Sequence, residues 1–181
     1  MGVTMLWAPL RSIFRRDSLR AGQVASWLQV GPALDGPGYL RLRLQGVTHV
    51  VDLRDERCDD PDEMDGLGLR WRRLGIAEAD APTPRQIADL VRWLDAEADE
   101  VPNASLYLHG AAGRGRTATV AIALLMHQDA TLEDAERRVL AVWPAASLNE
   151  AQRAFLGGLA ASLARAVAAP DVADVSAAGD G

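Results

Sequence analysis

The residues best placed to do chemistry lie in one run, His109-Gly110-Ala111-Ala112-Gly113-Arg114-Gly115-Arg116-Thr117. A short apolar stretch, Ala104 to Leu108, precedes it, and an apolar helical stretch from about Arg116 to His127 follows. A strand that turns through glycines into a helix aims backbone N–H groups and the positive end of the helix dipole into one concavity. That suits an anion, phosphate above all. Arg116, just inside the helix, adds a planar two-pronged clamp, each charge-assisted hydrogen bond contributing about 1.5–3 kcal/mol. Arg114 either joins the clamp or faces solvent. The single cysteine, Cys58, stands apart from this run beside Asp59, Asp60 and Asp62. These neighbours would raise a thiol pKa rather than lower it, so Cys58 is not expected to act as a nucleophile.

Two families place such a loop after a strand. Gly110 to Thr117 fits the G-x-x-x-x-G-[KR]-[ST] of nucleotide-binding P-loops if arginine is allowed for lysine. A guanidinium is too wide for the site of that compact ammonium, and the downstream parallel strands a P-loop fold needs are missing from the pattern. The second family fits far better. His109 to Thr117 resembles the H-C-x-x-G-x-x-R-[ST] signature of protein tyrosine and dual-specificity phosphatases at every fixed position but one, because Gly110 stands where that family has cysteine. The resemblance runs from about Trp27 to Leu156.

The resemblance implies roles for particular residues. The backbone of Gly110, Ala111, Ala112, Gly113, Arg114, Gly115 and Arg116 would cradle the phosphoryl group, Arg116 would hold its equatorial oxygens, and His109 would orient the loop. Thr117 matches the hydroxyl that supports a thiolate. Asp80, 30 residues before Gly110 in Glu78-Ala79-Asp80-Ala81-Pro82-Thr83, matches the general acid, with Glu78 as the fallback. Asn149 and Gln152 resemble polar residues that organise water in some members. Without sulfur at 110 no phosphocysteine can form. The resemblance therefore implies a pseudophosphatase that binds a phosphorylated protein or small phosphomonoester and needs neither metal nor other cofactor. An active phosphomonoester hydrolase is the first alternative, arising if another group attacks or if Gly110 is an engineered or erroneous replacement of a family cysteine. A non-catalytic scaffold is the second.

The elements that must position this loop read as an α/β sandwich with a mainly parallel sheet of four or five strands flanked by helices, and an all-helical last third. Expected strands are Val24–Val30, Val47–Leu53, Leu69–Leu74 and Ala104–Leu108. Tyr39–Gln45 reads as a short helix. Thr83-Pro84-Arg85-Gln86 is a capping sequence for a helix that carries Ile87, Leu90, Val91 and Leu94 on one face. Thr131–Val142 is another helix, and Ser147-Leu148-Asn149-Glu150 reads as a capping box opening a last one to about Ala168. Asp55 to Asp65, which carries Arg57 as its one basic residue, is expected to be a solvated acidic loop. The domain is thus 23–168, between a basic N-terminal arm, 1–22, and a disordered tail, 169–181.

Composition limits the alternatives. With 19 arginines, no lysine and 25 acidic residues the net charge is -6, which disfavours broad contact with nucleic acid or anionic membrane. One cysteine excludes a disulfide scaffold and cysteine-ligated zinc. No stretch approaches the roughly 20 apolar residues that span a bilayer, and the N-terminus has the pattern of neither a secretory signal nor a myristoylation site. The expected location is cytoplasmic. The basic arm, with Arg11, Arg15, Arg16 and Arg20 among Trp7, Leu10, Ile13 and Phe14, is expected to dock on its own domain.

Overall fold

A computed structural model describes residues 21–168. The expectations for the arm up to residue 20 and for the tail from 169 fall outside these residues. The chain runs β1 (Gly22–Ala25), β2 (Leu28–Pro32), α1 (Gly36–Leu44), β3 (His49–Arg54), α2 (Pro61–Gly66), β4 (Arg70–Ile76) and α3 (Pro84–Glu100). It continues through β5 (Leu106–Gly110), α4 (Gly115–His127), α5 (Leu132–Val142) and α6 (Glu150–Ala168). The strands form one sheet in the order β1-β2-β5-β3-β4.

The sheet is mixed, which corrects the expected mainly parallel one. Strands β2, β5, β3 and β4 pair in parallel, but β1 lies antiparallel to β2. The run expected to be one strand, 24–30, is a hairpin folded at Ser26-Trp27, with Ala25 opposite Leu28. So short a connection leaves no room for a crossover, so the two strands can only run antiparallel. The acidic segment is not wholly a loop either. Asp60 accepts the Asp62 N–H at 3.0 Å and Pro61 occupies the first turn, which together open α2.

Alternation along the central strands divides the interior in two. Val51, Leu53, Leu106 and Leu108 face the larger core, built with Ile87 and Leu90 of α3, the buried length of α4, Val139 of α5 and Leu156 of α6. Val50 and Tyr107 point the other way, onto Tyr39, Leu42, Val47, Met64 and Leu69. Helix α3 starts where expected: Thr83 and Gln86 cap each other's backbone reciprocally, an arrangement typically contributing about 1 kcal/mol. The box expected at Ser147 and Glu150 instead uses Asn149 and Gln152. Asn149 Oδ1 accepts the Gln152 N–H at 2.9 Å while Gln152 Oε1 accepts the Asn149 N–H at 3.1 Å. The helix therefore begins two residues later than the serine would have set it.

Candidate functional site

Strand β5 occupies the middle of the sheet, and its C-terminal end delivers the loop 110–117 to the N-terminus of α4. Glycine is required at 113. Its φ is +67°, and a Cβ there would come within 2.6 Å of the Gly31 carbonyl oxygen on β2. Three hydrogen bonds hold the turn: Trp143 Nε1 donates to the Gly113 carbonyl at 2.6 Å, the Ala33 N–H to the Ala111 carbonyl at 3.3 Å, and the Thr119 hydroxyl to the Gly115 carbonyl at 2.8 Å. Arg114 stands at the N-cap of α4 with no side-chain capping bond, so the first-turn amides are left to whatever enters the loop.

The loop opens into a cavity of about 410 Å³ lined by 110–117 together with Glu78, Ala79, Ser147, Leu148, Asn149 and Gln152. Every loop residue expected to bind phosphate lines it. Thr117 lines it too, buried, and its Oγ1 is a buried side-chain polar atom without a hydrogen-bond partner. A Cβ built on Gly110 would lie 3.2 Å from that oxygen and 3.8 Å from Arg116 Nε.

Arg116 is buried and gripped from one end. Its Nη1 donates to Glu56 Oε2 at 2.7 Å and to the Ile76 carbonyl at 2.8 Å, and its Nη2 donates to Glu56 Oε1 at 2.8 Å. Nε–H and the second Nη2 hydrogen are left without a hydrogen-bond partner among the described residues, and Nε would lie 3.8 Å from a Cβ on Gly110. The bidentate bond to Glu56 raises the pKa of Arg116, and burial opposes it without prevailing. The same bond is the main reason the Glu56 carboxyl lies far below its usual range, at about 2. Because the folded pKa is depressed, the pair stabilises the fold above pH 4.5, and that contribution is lost as pH falls towards about 2. A carbon-13 NMR titration should show a Glu56 midpoint near 2 that returns to about 4.5 in Arg116→Ala. A midpoint unmoved by the substitution would mean the pair does not form.

Asp80 and Glu78 separate in space. Glu78 and Ala79 line the cavity, whereas Asp80 is exposed beside it and its carboxylate makes no ion pair among the described residues. Ala79 has a φ of 67°, an uncommon conformation for a residue with a Cβ. Helix α6 holds this turn over the loop: Asn149 Nδ2 donates to the Ala79 carbonyl, and Gln152 Nε2 donates to the Asp80 carbonyl at 3.1 Å. Asn149 and Gln152, expected to organise water, thus cap α6 and clamp the carboxylate-bearing turn.

His109 faces away from the cavity, on the opposite side of β5 from Gly110, and is fully buried. Its Nε2 lies 2.8 Å from Asp59 Oδ2 and 3.0 Å from the Tyr39 hydroxyl, which donates to Asp59 Oδ1 at 2.9 Å. Arg54 bridges the carboxylates, with Nη2 donating to Asp52 Oδ2 at 2.8 Å and to Asp59 Oδ1 at 2.7 Å. Asp59 is only 8% exposed, which corrects the expectation of a wholly solvated acidic segment. Burial alone would raise its pKa, but hydrogen bonds from His109 and Tyr39 and the charge of Arg54 hold it below the ordinary value. Asp52, Asp59 and His109 lie close enough to share a metal ion, yet the Arg54 guanidinium already supplies the cation. Sequence reasoning missed Glu56 and Asp59. The available signal was Arg54, two residues past Asp52 on an apolar strand, because a buried arginine needs carboxylate partners.

A strand-loop-helix turn that opens into a cavity at the end of a central strand, with an arginine in its first helical turn, places the protein in the fold class of the tyrosine and dual-specificity phosphatases. Solved structures agree. Tk-PTP in its active form is 22% identical with a TM-score of 0.70, covering 80% of this chain and 98% of that one. PTPMT1 in complex with PI(5)P is 22% identical with a TM-score of 0.72, covering 82% and 99%. Human DUSP28 is 24% identical with a TM-score of 0.65, covering 80% and 95%. At such identities the likeness establishes the fold. The family described as "Polymorphic toxin system, DSP-PTPase phosphatase" matches residues 29–130, more than half of the chain, and the protein belongs to it. No curated protein matches the sequence.

Proposed function

We propose that this domain captures phosphorylated ligands in the loop 110–117 and does not hydrolyse them through a phosphocysteine: a pseudophosphatase. The observation that carries this reading is the surroundings of Gly110, where uncapped amides, the buried Arg116 and the Thr117 hydroxyl meet at the position that the signature resemblance assigns to the family's cysteine. A binding site of this kind does not depend on the nucleophile. Glycine also removes a thiolate that would repel a phosphate dianion.

The ligand class is a phosphoprotein or a small phosphomonoester, met in the cytoplasm. PTPMT1 has been solved with the phosphoinositide PI(5)P, which makes a phosphorylated lipid headgroup a further candidate. Arg114, at the exposed rim and without an ion pair among the described residues, is the group that would meet a second phosphate. The family's description as a phosphatase of polymorphic toxin systems fits a domain whose ligand is a phosphorylated molecule. Hydrolysis by Glu78 or Asp80 acting on water is a poor competitor, since a carboxylate attacking an anionic ester without a metal has little to drive it.

Calorimetry with inorganic phosphate tests the reading. The wild type should bind, and Arg116→Ala should bind at least about 10-fold more weakly, the equivalent of one charge-assisted hydrogen bond. Equal binding by both, or none by the wild type, defeats it. Steady turnover of an aryl phosphate by the unaltered protein would favour the hydrolase instead.

A further inference from the structure

We infer that Thr117, rather than supporting a nucleophile, is itself a ligand of the bound phosphoryl group in this protein. The inference rests on the phosphate-binding reading above and deepens it. Thr117 is 1% exposed, lines the cavity, and carries a buried hydroxyl with no partner. A buried hydroxyl left unpaired costs on the order of 1–3 kcal/mol, so one that persists at the base of an anion cradle points to a ligand that completes it.

The geometry supplies the path. The nearest side-chain atom to a Cβ built on Gly110 is Thr117 Oγ1 at 3.2 Å, followed by Arg116 Nε at 3.8 Å. Any side chain at 110 would stand between the loop's interior and Thr117. Glycine places no Cβ in that approach, so with a small adjustment around the buried hydroxyl a phosphate oxygen can enter beside the Gly110 Cα and accept a hydrogen bond from it. Arg116 meets the same anion with its Nε edge, because Glu56 and the Ile76 carbonyl occupy the guanidinium's other end. Two donors from consecutive residues of α4 thereby grip one oxyanion from below. The chemistry favours a tetrahedral dianion, which a monoester or free phosphate is; a diester carries only one negative charge and has one unsubstituted oxygen fewer than a monoester to share among Thr117, Arg116 and the loop amides.

The test is calorimetry with inorganic phosphate on wild type, Thr117→Val, Thr117→Ser, Gly110→Ala and Arg116→Ala. Thr117→Val should weaken binding about 10-fold, and Thr117→Ser, which keeps the hydroxyl, should stay within about 2-fold of wild type. Gly110→Ala, which places a methyl in the path, should weaken binding to a similar extent and stands in for Thr117→Val if that variant does not fold. Unchanged affinity in Thr117→Val or in Gly110→Ala overturns the inference. So does equal weakening by Val and Ser, which would assign the effect to disturbed packing around position 117 or to the helix rather than to the hydroxyl. If Arg116→Ala abolishes binding while the Thr117 and Gly110 variants leave it intact, the phosphate site stands and only the threonine's role falls. If the wild type binds no phosphate, the site itself falls.

Discussion

Gly110→Cys is expected to gain phosphomonoesterase activity of at least about 10³-fold over the unaltered protein. Loss of a nucleophile from a preorganised protease site costs up to about 10⁶ in turnover, or roughly 8 kcal/mol, and the reverse change should recover a large share of that. The surroundings favour it. The new Cβ would lie 3.2 Å from Thr117 Oγ1, close enough that the threonine must yield by a few tenths of an ångström. The sulfur would then sit at the N-terminus of α4 near Arg116, both of which lower a thiol pKa, and Thr117 could donate to the thiolate. Stopped-flow release of p-nitrophenol, with mass-spectrometric detection of a phosphocysteine, measures this directly. Adding Glu78→Gln or Asp80→Asn to the Gly110→Cys protein identifies the leaving-group acid: whichever substitution slows a substrate with a basic leaving group while sparing p-nitrophenyl phosphate marks it. A well-folded Gly110→Cys protein that binds phosphate but forms no phosphoenzyme would show that the loop is not shaped for in-line attack.

The second large effect is on stability and lies behind the loop. Asp59→Ala should destabilise the fold by about 2–3 kcal/mol at pH 7, because it removes the buried acceptor shared by His109, Tyr39 and Arg54, although Arg54 keeps Asp52. Asp59→Asn, which keeps part of the hydrogen bonding, should lose less. The pH dependence has a definite sign. Asp59 has a folded pKa below its ordinary 3.8, so its contribution is present above that value and is lost as pH falls through the folded one. The difference in urea midpoint between wild type and Asp59→Ala should therefore be largest near neutrality and shrink below about pH 3.8. Coincident midpoints at pH 7 would mean that Arg54 and His109 find other partners.

Much of this molecule could be read from its sequence because the decisive signals are local. The glycine spacing at 110–115 and the apolar runs on either side define the strand-loop-helix. Thr83 and Gln86 announce α3 four residues after Ala79, where the cavity wall ends. The misreadings share a cause. The hairpin at Ser26-Trp27 carries no glycine or asparagine to mark a two-residue turn, so β1 and β2 read as one strand. Asp59 and Glu56 sit in a run of acids whose average character is that of a solvated surface. What distinguishes them is a distant partner, His109 for one and Arg116 for the other, 50 and 60 residues away. The separate positions of Glu78 and Asp80 follow from clamps on α6 by Asn149 and Gln152, a contact that spacing along the chain does not encode.

The alternation along β5 has an evolutionary consequence. Leu106 and Leu108 build one core, Tyr107 the other, and His109 ties the sheet to a buried ionic network, so these four residues answer to folding. Gly110, the next residue, belongs to neither core, and what occupies it bears on reactivity far more than on whether the protein folds. The glycine codons GGC and GGT each differ from a cysteine codon by one base. From either of those codons, under the proposed reading, one base change would separate binder from enzyme, at a structural cost confined to the small shift of Thr117.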